Sequence, residues 1–217
     1  MRTRIFIVDD HPLMRKGLAL TLGAESDFEI VGQASDAEEA LDQFGDLDPD
    51  LAVVDVSLPG MNGLELIKHL LARDPDLLTL VVSRHDEALY AERAVRAGAK
   101  GYVSKLEADA QIVKAVRYIL RGGIYLSEEL KDRLLFGAAV GRKDATQSPL
   151  EVLSDRELEV FEMTGRGLPT RDIAERLHLS VKTVESYRAR IKTKLALESG
   201  TELMQHAVRW VEGEGAG

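Results

Sequence analysis

Five polar side chains in the first half of this sequence could together handle a phosphoryl group. Each one stands at or just beyond the end of a short apolar run, and the five are Asp9, Asp10, Asp55, Ser83 and Lys105. Carboxylates that lie close together repel each other unless a cation joins them, and a hard divalent ion such as Mg²⁺ prefers oxygen ligands. A hydroxyl and an ammonium group would add a hydrogen-bond donor and a positive charge for the phosphoryl oxygens. The set predicts a magnesium-dependent phosphoryl site.

The elements that would position these residues alternate between strands and helices. Five apolar runs are typical of parallel strands buried on both faces: Arg4–Val8, Phe28–Gly32, Leu51–Val54, Leu77–Val82 and Gly101–Val103. Helical patterns such as Gly63–Arg73 and Glu87–Ala97 separate them, and Gly98 stands where a left-handed helix cap is wanted. The alternation predicts a doubly wound α/β fold with a five-stranded parallel sheet, whose strands end at one common edge.

Each polar residue at a strand end also has a simpler interpretation. Strand ends usually reach water, and polar side chains suit that position. Solvation alone explains any one of the five residues as well as a phosphoryl site does. It explains the five together much less well, because chance would have to place all of this matched chemistry at the same edge of one sheet.

Four motifs of the α/β region resemble the signatures of response-regulator receiver domains, whose fold is flavodoxin-like. They are IVDDHPLMRKG at 7–17, VVDVSLPGMNG at 53–63, VVSRH at 81–85 and GYVSK at 101–105. The resemblance covers residues 2 to about 122. It implies that Asp55 is the phosphoacceptor and that a sensor histidine kinase supplies the phosphoryl group. Asp10, Asp55 and the backbone carbonyl of Ser57 would bind Mg²⁺, and Asp9 would assist through a water molecule.

The same resemblance assigns roles to residues around the phosphoacceptor. Ser83 and Lys105 would hold the phosphoryl oxygens, and Tyr102 would be the aromatic residue that switches position. An ordinary half-buried strand tyrosine is the alternative for Tyr102. Three residues occupy positions that tune the lifetime of the phosphoryl group in this family: Ser57, Arg84 and His85.

The α/β pattern gives way to a different organisation in the second half of the chain. Residues 137–149, GAAVGRKDATQSP, are small, polar and interrupted by glycine and proline, which is typical of a linker. After this segment every pattern is helical. We therefore predict three parts: a receiver domain at 1–122, an extension of the terminal helix with an interdomain linker at 123–149, and a small all-α domain at 150–217.

The helical region contains the pattern of a helix-turn-helix. Ser154 and Glu157 have the spacing of a capping box, which begins a helix at about residue 155. Thr170 could cap a short second helix, and Ser180 could cap a third at 181 to about 195. Two short helices joined by a tight turn are the pattern of a helix-turn-helix.

Positive charge is concentrated in the third of these helices. The whole chain has a net charge of −9, yet residues 182–194 contain five basic side chains and one acidic one, Glu185. Local positive charge of this kind suits contact with phosphates. A solvated basic helix face is the alternative, and Glu185 would then be a surface residue paired with Arg188.

Residues 150–212 resemble the LuxR-type helix-turn-helix of the NarL/FixJ response regulators, most closely in GLPTRDIAERLHLSVKTVESYRARI at 167–191. The resemblance implies that helix 181–195 binds the major groove of double-stranded DNA. Glu185, Ser186 and Ala189 would face base edges. Thr183, Arg190 and Lys194 would contact phosphates. The same DNA-binding surface includes three more basic residues, which are Lys182, Arg188 and Lys192.

The last helical pattern, Glu202–Val211, aligns four apolar residues on one stripe: Leu203, Ala207, Val208 and Val211. Packing within its own helical bundle is one interpretation of this stripe. In the resembled family the last helix helps to pair two DNA-binding units, so a homodimer formed on phosphorylation is the other.

Composition excludes several other classes of protein. The chain has no cysteine, so it forms neither disulfides nor thiolate metal sites, which is compatible with a reducing cytoplasm. No run approaches the roughly 18 apolar residues of a membrane span. The sequence opens directly on a strand-like run, so we expect no secretory signal and a cytoplasmic protein without membrane contact.

Two rival functions use the same acidic residues. In the first, the acidic site is vestigial and the regulator works without phosphorylation. In the second, Asp55 is the nucleophile of a haloacid-type hydrolase. Such an enzyme needs a general acid two residues further on, where this chain has Ser57, and a cap domain that the sequence lacks. We therefore predict a regulator of transcription without a catalytic residue of its own, not an enzyme.

Overall fold

The computed structural model describes residues 2–84, 87–128, 130–132 and 152–214. The chain forms two compact units, Met1–Gly141 and Arg142–Gly217. Within the described ranges no helix is both long and apolar enough to cross a lipid bilayer. His85 and the predicted linker at 137–149 lie outside the described residues.

The first unit is built on a parallel five-stranded sheet in the order β2-β1-β3-β4-β5. The predicted α/β fold is therefore confirmed. The strands are β1 Thr3–Val8, β2 Phe28–Ala34, β3 Leu51–Val54, β4 Leu78–Ser83 and β5 Tyr102–Ser104. The prediction ended β2 two residues too early and placed β4 and β5 one residue too early. The chain reverses its direction of winding between β1 and β3, which opens a crevice at their carboxyl ends.

Helices connect successive strands and cover the sheet. They are α1 Pro12–Gly23, α2 Ala37–Leu47, α3 Gly63–Arg73, α4 Glu87–Ala97 and α5 Ala108–Leu120. The predicted bounds of α3 and α4 are confirmed, and Gly98 follows α4 at φ +107°. The three central strands are buried because helices pack on both of their faces, which explains why their sequences are continuously apolar.

A close backbone contact fixes the loop that follows β3. Asn62 caps α3 by accepting a hydrogen bond from the Leu64 N–H at 2.8 Å. The N–H of Gly63 donates to the Val56 carbonyl at 2.8 Å. A Cβ atom at Gly63 would lie 1.8 Å from the backbone oxygen of Asp55. Only glycine allows α3 to begin this close to the end of β3.

The first unit continues beyond residue 122, where the prediction ended the receiver domain. Helix α5 ends at Leu120, and Gly122 at φ +86° turns the chain, so the expected extension of this helix does not occur at that point. Tyr125 then forms a parallel bridge beside Gly101, with the Tyr102 N–H donating to the Tyr125 carbonyl at 2.9 Å. Leu126 and Leu130 are buried as well.

The second unit contains four described helices: α6 Asp155–Gly165, α7 Thr170–Arg176, α8 Val181–Lys194 and α9 Gly200–Glu214. The predicted capping box of Ser154 and Glu157 is formed, and Ser180 caps α8 by accepting from the Thr183 N–H. Buried residues from all four helices form the core, and they include Leu158, Phe161, Ile173, Val184, Ile191, Leu203 and Ala207. The helix-turn-helix prediction is confirmed.

One predicted cap is wrong. Thr170 is the first residue of α7 and not its cap, because Pro169 has the extended backbone of an N-cap at φ −60° and ψ 151°. Pro169 makes no side-chain hydrogen bond. The Thr170 hydroxyl instead accepts a hydrogen bond from Arg188 of α8 at 2.7 Å. This side chain therefore connects two helices and does not begin one.

We expect Gly63→Ala to lower the thermal midpoint of unfolding, at a cost of about 2 kcal/mol, because the new methyl group would displace the backbone of Asp55. Gly17→Ala is the matched control. Gly17 lies within α1, and a methyl group added there would have no neighbouring atom within 4 Å, so alanine should be neutral or stabilising. Calorimetry of both variants checks this, and equal midpoints would contradict it.

Candidate functional site

Two buried carboxylates at the carboxyl edge of the sheet share one buried ammonium group. The Lys105 Nζ lies 2.6 Å from Asp55 Oδ2 and 2.8 Å from Asp9 Oδ2. The geometry follows from the sheet, because Val8 of β1 is in register with Val54 of β3 and each acid comes next in sequence. The predicted convergence of these three residues is present in the fold. Two carboxylates and one ammonium group give the pocket a net negative charge.

The electrostatic state of Asp55 reflects its burial. Burial raises the pKa of the Asp55 carboxyl from its ordinary value of 3.8 to about 6, and the charges of Asp9 and Asp10 add to the rise. The Lys105 ammonium opposes it through its charge and its hydrogen bond. At neutral pH the Asp55 carboxyl is therefore mostly ionised, although burial makes the ionised form cost free energy. An added cation would relieve this cost.

The pocket has the donor atoms that a hard divalent cation needs. Asp9, Asp10, His11 and Asp55 each offer one ligand atom, and these atoms all lie within 4.8 Å of one another. Three of the four donors are carboxylate oxygens, the ligands that Mg²⁺ prefers. His11 was not predicted. Its Nδ1 lies 2.5 Å from Asp10 Oδ1. Its position directly after Asp10 in the sequence could have indicated that it belongs to the pocket.

The remaining predicted residues of the pocket differ in exposure. Ser83 and Tyr102 are fully buried, so Tyr102 is more buried than the half-buried strand tyrosine of the alternative interpretation. Its switch role remains a prediction. The backbone carbonyl of Ser83 accepts a hydrogen bond from the Lys105 N–H at 2.7 Å, which ties the end of β4 to the residue after β5. Ser57 is half-buried, and Arg84 is exposed.

Helix α8 of the second unit presents one exposed face. Val184 and Ile191 are buried on the opposite side. Several of its exposed residues recur at helical spacing, and these are Lys182, Glu185, Ser186, Ala189, Arg190 and Thr193. Val181 and Lys194, at the two ends of the helix, are exposed as well. Glu185, Ser186 and Ala189 thus lie together on the outer side, as the resemblance implied. Thr193 was missed, although its spacing of four from Ala189 and seven from Ser186 was visible in the sequence.

Two basic residues assigned to this interface contact other helices of the bundle. Arg188 is half-buried and donates to the Thr170 hydroxyl of α7. The Lys194 Nζ lies 2.6 Å from Glu157 Oε2 on α6. Glu157 also accepts from the Ser154 N–H, so Lys194 completes the network of the capping box. The pKa of Glu157 is lowered, because the hydrogen bonds from Lys194 and Ser154 outweigh its burial.

The basic side chains of α8 differ in exposure. Lys182 and Arg190 are exposed and Lys192 is half-buried, while Lys194 is exposed although its Nζ pairs with Glu157. Thr183 is half-buried, and its hydroxyl shares a hydrogen bond of 2.7 Å with the Ser180 hydroxyl. Thr183 therefore contributes to the start of α8.

The apolar stripe of α9 serves the core of the second unit. Leu203 and Ala207 are buried, and the aromatic rings of Phe161 and Trp210 lie 5.6 Å apart. A Cβ atom at Gly165 of α6 would lie 2.3 Å from the Ala207 carbonyl oxygen, so the two helices are in backbone contact. Leu203 and Ala207 thus belong to the core of the bundle, whereas Val208 and Val211 are half-buried.

Comparison with known protein families matches both units. Residues 5–117 match the response regulator receiver domain, and residues 151–207 match the luxR family of bacterial regulatory proteins. Transcriptional activator protein ExaE of Pseudomonas putida is 40% identical over 204 residues, which cover 94% of this chain and 95% of ExaE. Oxygen regulatory protein NreC of Staphylococcus carnosus is 35% identical over 210 residues, or 95% of this chain and 97% of NreC.

A solved structure covers both units too. RcsB from Salmonella enterica serovar Typhimurium, bound to the promoter rprA in the presence of the phosphomimetic BeF3⁻, aligns with a TM-score of 0.62 at 25% identity. The alignment covers 96% of this chain and 99% of that one.

We expect Asp55→Asn to change how stability depends on pH in metal-free buffer. The pKa of Asp55 is raised to about 6, so the folded protein binds this proton more tightly than the unfolded chain. Ionisation therefore costs stability at pH 7.5, and the cost disappears as the pH falls through about 6 towards 3.8. The variant lacks this cost. We therefore expect the thermal midpoint of the variant to exceed that of the wild type by less at pH 5 than at pH 7.5. A larger difference at pH 5 would contradict the raised pKa of Asp55.

Proposed function

This chain belongs to the response regulators in which a receiver domain precedes a LuxR-type DNA-binding domain, and on that premise we propose that phosphorylation of Asp55 controls its binding to DNA. Proteins of this kind regulate transcription and are not enzymes. In the proposal, residues 1–122 form the receiver, and the segment after α5 packs with it through Leu130. The remainder of 123–149 connects the receiver to residues 150–217, which bind DNA. The partner that delivers the phosphoryl group is a sensor histidine kinase, and the protein works in the cytoplasm.

The observation that carries the proposal is the position of Lys105 between Asp9 and Asp55. In the proposed reaction a carboxylate oxygen of Asp55 attacks phosphorus, and the bond between phosphorus and the donor's histidine nitrogen breaks. The imidazole leaves with that electron pair and takes up a proton. The Lys105 Nζ is already 2.6 Å from Asp55 Oδ2, so a small shift would place its charge on the incoming phosphoryl oxygens.

The acidic residues would hold the metal ion of this reaction. Asp10 and Asp55 would be its direct ligands together with the Ser57 carbonyl, and Asp9 would act through a water molecule. Bound Mg²⁺ supplies positive charge that offsets the negative oxygens of the phosphoryl group. The fit is supported by the carboxylate spacing within 4.8 Å. Ser57, Arg84 and His85 would set how long the phosphoryl group persists.

Ser83 and Tyr102 are the proposed link from the phosphoryl group to the rest of the receiver. Ser83 is buried at the end of β4, and its hydroxyl would bind a phosphoryl oxygen. Two contacts connect α4 and β5 to the segment after α5. Glu87, in the first turn of α4, accepts from the Ser127 N–H at 2.8 Å, and the Tyr102 N–H donates to the Tyr125 carbonyl. A movement at the site would reach that segment through both.

DNA binding is assigned to α8 in the major groove of a double-stranded promoter, with two copies of the chain forming a homodimer on phosphorylation. The exposed face of α8 supports this assignment, as does the RcsB structure, which contains a promoter and a phosphomimetic. Lys182, Arg190 and Lys192 would contact phosphates, whereas Arg188 and Lys194 would hold the bundle together.

We expect acetyl phosphate with Mg²⁺ to add one phosphoryl group to the wild type, because Asp55 can break the donor's phosphorus–oxygen bond and release acetate. Asp55→Asn should stay unmodified, since an amide does not form an acyl phosphate. Asp46→Asn, which changes an exposed acid on α2, is the matched control and should be labelled normally. Intact-mass spectrometry measures the gain, and labelling of Asp55→Asn at the wild-type level would overturn the assignment. Continuous turnover of phosphomonoesters would favour the hydrolase instead.

We expect Ser83→Ala to accept a phosphoryl group but to lose most of the gain in DNA affinity that phosphorylation brings. Phosphorylation can shift a conformational equilibrium only through contacts that differ between the two states, and the Ser83 hydroxyl is the proposed contact. Thr79→Val is the control, because it removes another buried hydroxyl from the same face of β4, four residues away. Gel shifts before and after phosphorylation measure the gain. An undiminished gain in Ser83→Ala would remove this residue from the mechanism.

A further inference from the structure

We propose that α8 reads its DNA site through hydrogen-bond acceptors and a methyl group. From Glu185 to Thr193 its partners would be the amino groups of adenine or cytosine and the methyl group of thymine, not the acceptor atoms of guanine. This inference rests on the proposed DNA-binding function and specifies the chemistry of the site that is bound.

The first step is the geometry of the exposed face. Lys182, Ser186, Ala189 and Thr193 recur at intervals of four, three and four residues, so they form a single row along the helix. The buried residues Val184 and Ile191 lie on the opposite side. Glu185 flanks the row. A helix that enters a groove with its core-facing side turned away presents this row to the base edges.

The second step is the direction of the hydroxyl hydrogen bonds. The Ser186 hydroxyl donates to the Lys182 carbonyl at 2.9 Å, and the Thr193 hydroxyl donates to the Ala189 carbonyl at 3.2 Å. Each hydroxyl has one hydrogen, and the helix backbone already uses it. What both side chains present outward is therefore oxygen lone pairs. They can accept a hydrogen bond from a base but have no second hydrogen to donate.

The third step concerns Glu185 and Ala189. An ionised carboxylate only accepts hydrogen bonds. Glu185 is exposed. Arg188, its partner in the surface-residue interpretation, is turned to Thr170 instead. Ala189 adds a methyl group, which suits contact with the thymine methyl.

The last step is the placement of the donors. Guanine is most often read by arginine or lysine, which donate to its O6 and N7 acceptors. Arg188 and Lys194 are committed to Thr170 and Glu157. Arg190 lies beside the row, with its guanidinium 5.7 Å from the Tyr187 ring. Lys182 is in the first turn, so any guanine contact would fall at that end of the site.

Base analogues test this inference on the phosphorylated full-length protein. The preferred duplex is first selected from random sequences, and single atoms are then removed from it position by position. Purine in place of adenine and 2-pyrimidinone in place of cytosine delete the amino groups, uracil deletes the thymine methyl, and 7-deazaguanine deletes the guanine N7. Gel shifts at one fixed salt concentration report the affinities.

We expect amino or methyl deletion to weaken binding about tenfold at two or more positions. Loss from 7-deazaguanine should occur at one position at most, and Lys182→Ala should abolish that loss. Glu185→Ala should remove the sensitivity to one amino deletion, whereas Glu175→Ala, an exposed acid on α7, should leave every sensitivity unchanged.

Two failures are distinguishable. If the folded, phosphorylated protein selects no duplex, the proposed DNA-binding function fails. If it selects a duplex that depends on guanine N7 at several positions and not on amino or methyl groups, DNA binding stands and the reading chemistry is overturned.

Discussion

The sharing of one ammonium group by two buried carboxylates is the constraint on which the receiver unit depends. Taking Asp9, Asp55 and Lys105 out of water is expensive, and their attraction offsets that cost only if the three groups meet closely. The parallel sheet provides the closeness, because β1 and β3 are neighbours in register and end together. The raised pKa of Asp55 shows that the balance is incomplete. The pocket is therefore built to gain from a further cation.

The second unit divides its basic residues between two tasks. Arg188 and Lys194 bond α8 to α7 and α6, while Lys182 and Arg190 are exposed and Lys192 is half-buried. The number of basic residues along α8 does not reveal this division, because the bonded and the exposed residues contribute equally to it. The division matters for function, because the bonded residues fix the orientation of α8 and the exposed row determines what that helix can recognise.

Most of the fold and the pocket could be predicted from the sequence because their causes are local. Continuous apolar runs mark strands buried on both faces, and the acids that follow β1 and β3, Asp9 and Asp55, fall at the sheet edge. The pairing of Lys194 with Glu157, 37 residues away, had no such signal, and neither did the bond from Arg188 to Thr170. Both depend on how helices cross, which spacing within one helix does not encode. His11 and Thr193 could have been predicted. His11 directly follows Asp10, and Thr193 repeats the helical spacing of Ser186 and Ala189.

The bridge between Gly101 and Tyr125 covers backbone groups at one edge of the sheet. Strand β5 is the last in the sheet, and an uncovered edge strand offers its backbone groups to other chains as a template for pairing. Tyr125 covers part of that edge by accepting from the Tyr102 N–H. A receiver fragment cut after residue 122 would lose the cover and expose a β edge. Fragments intended for separate study should therefore retain the chain through Leu130, which is buried in the same unit.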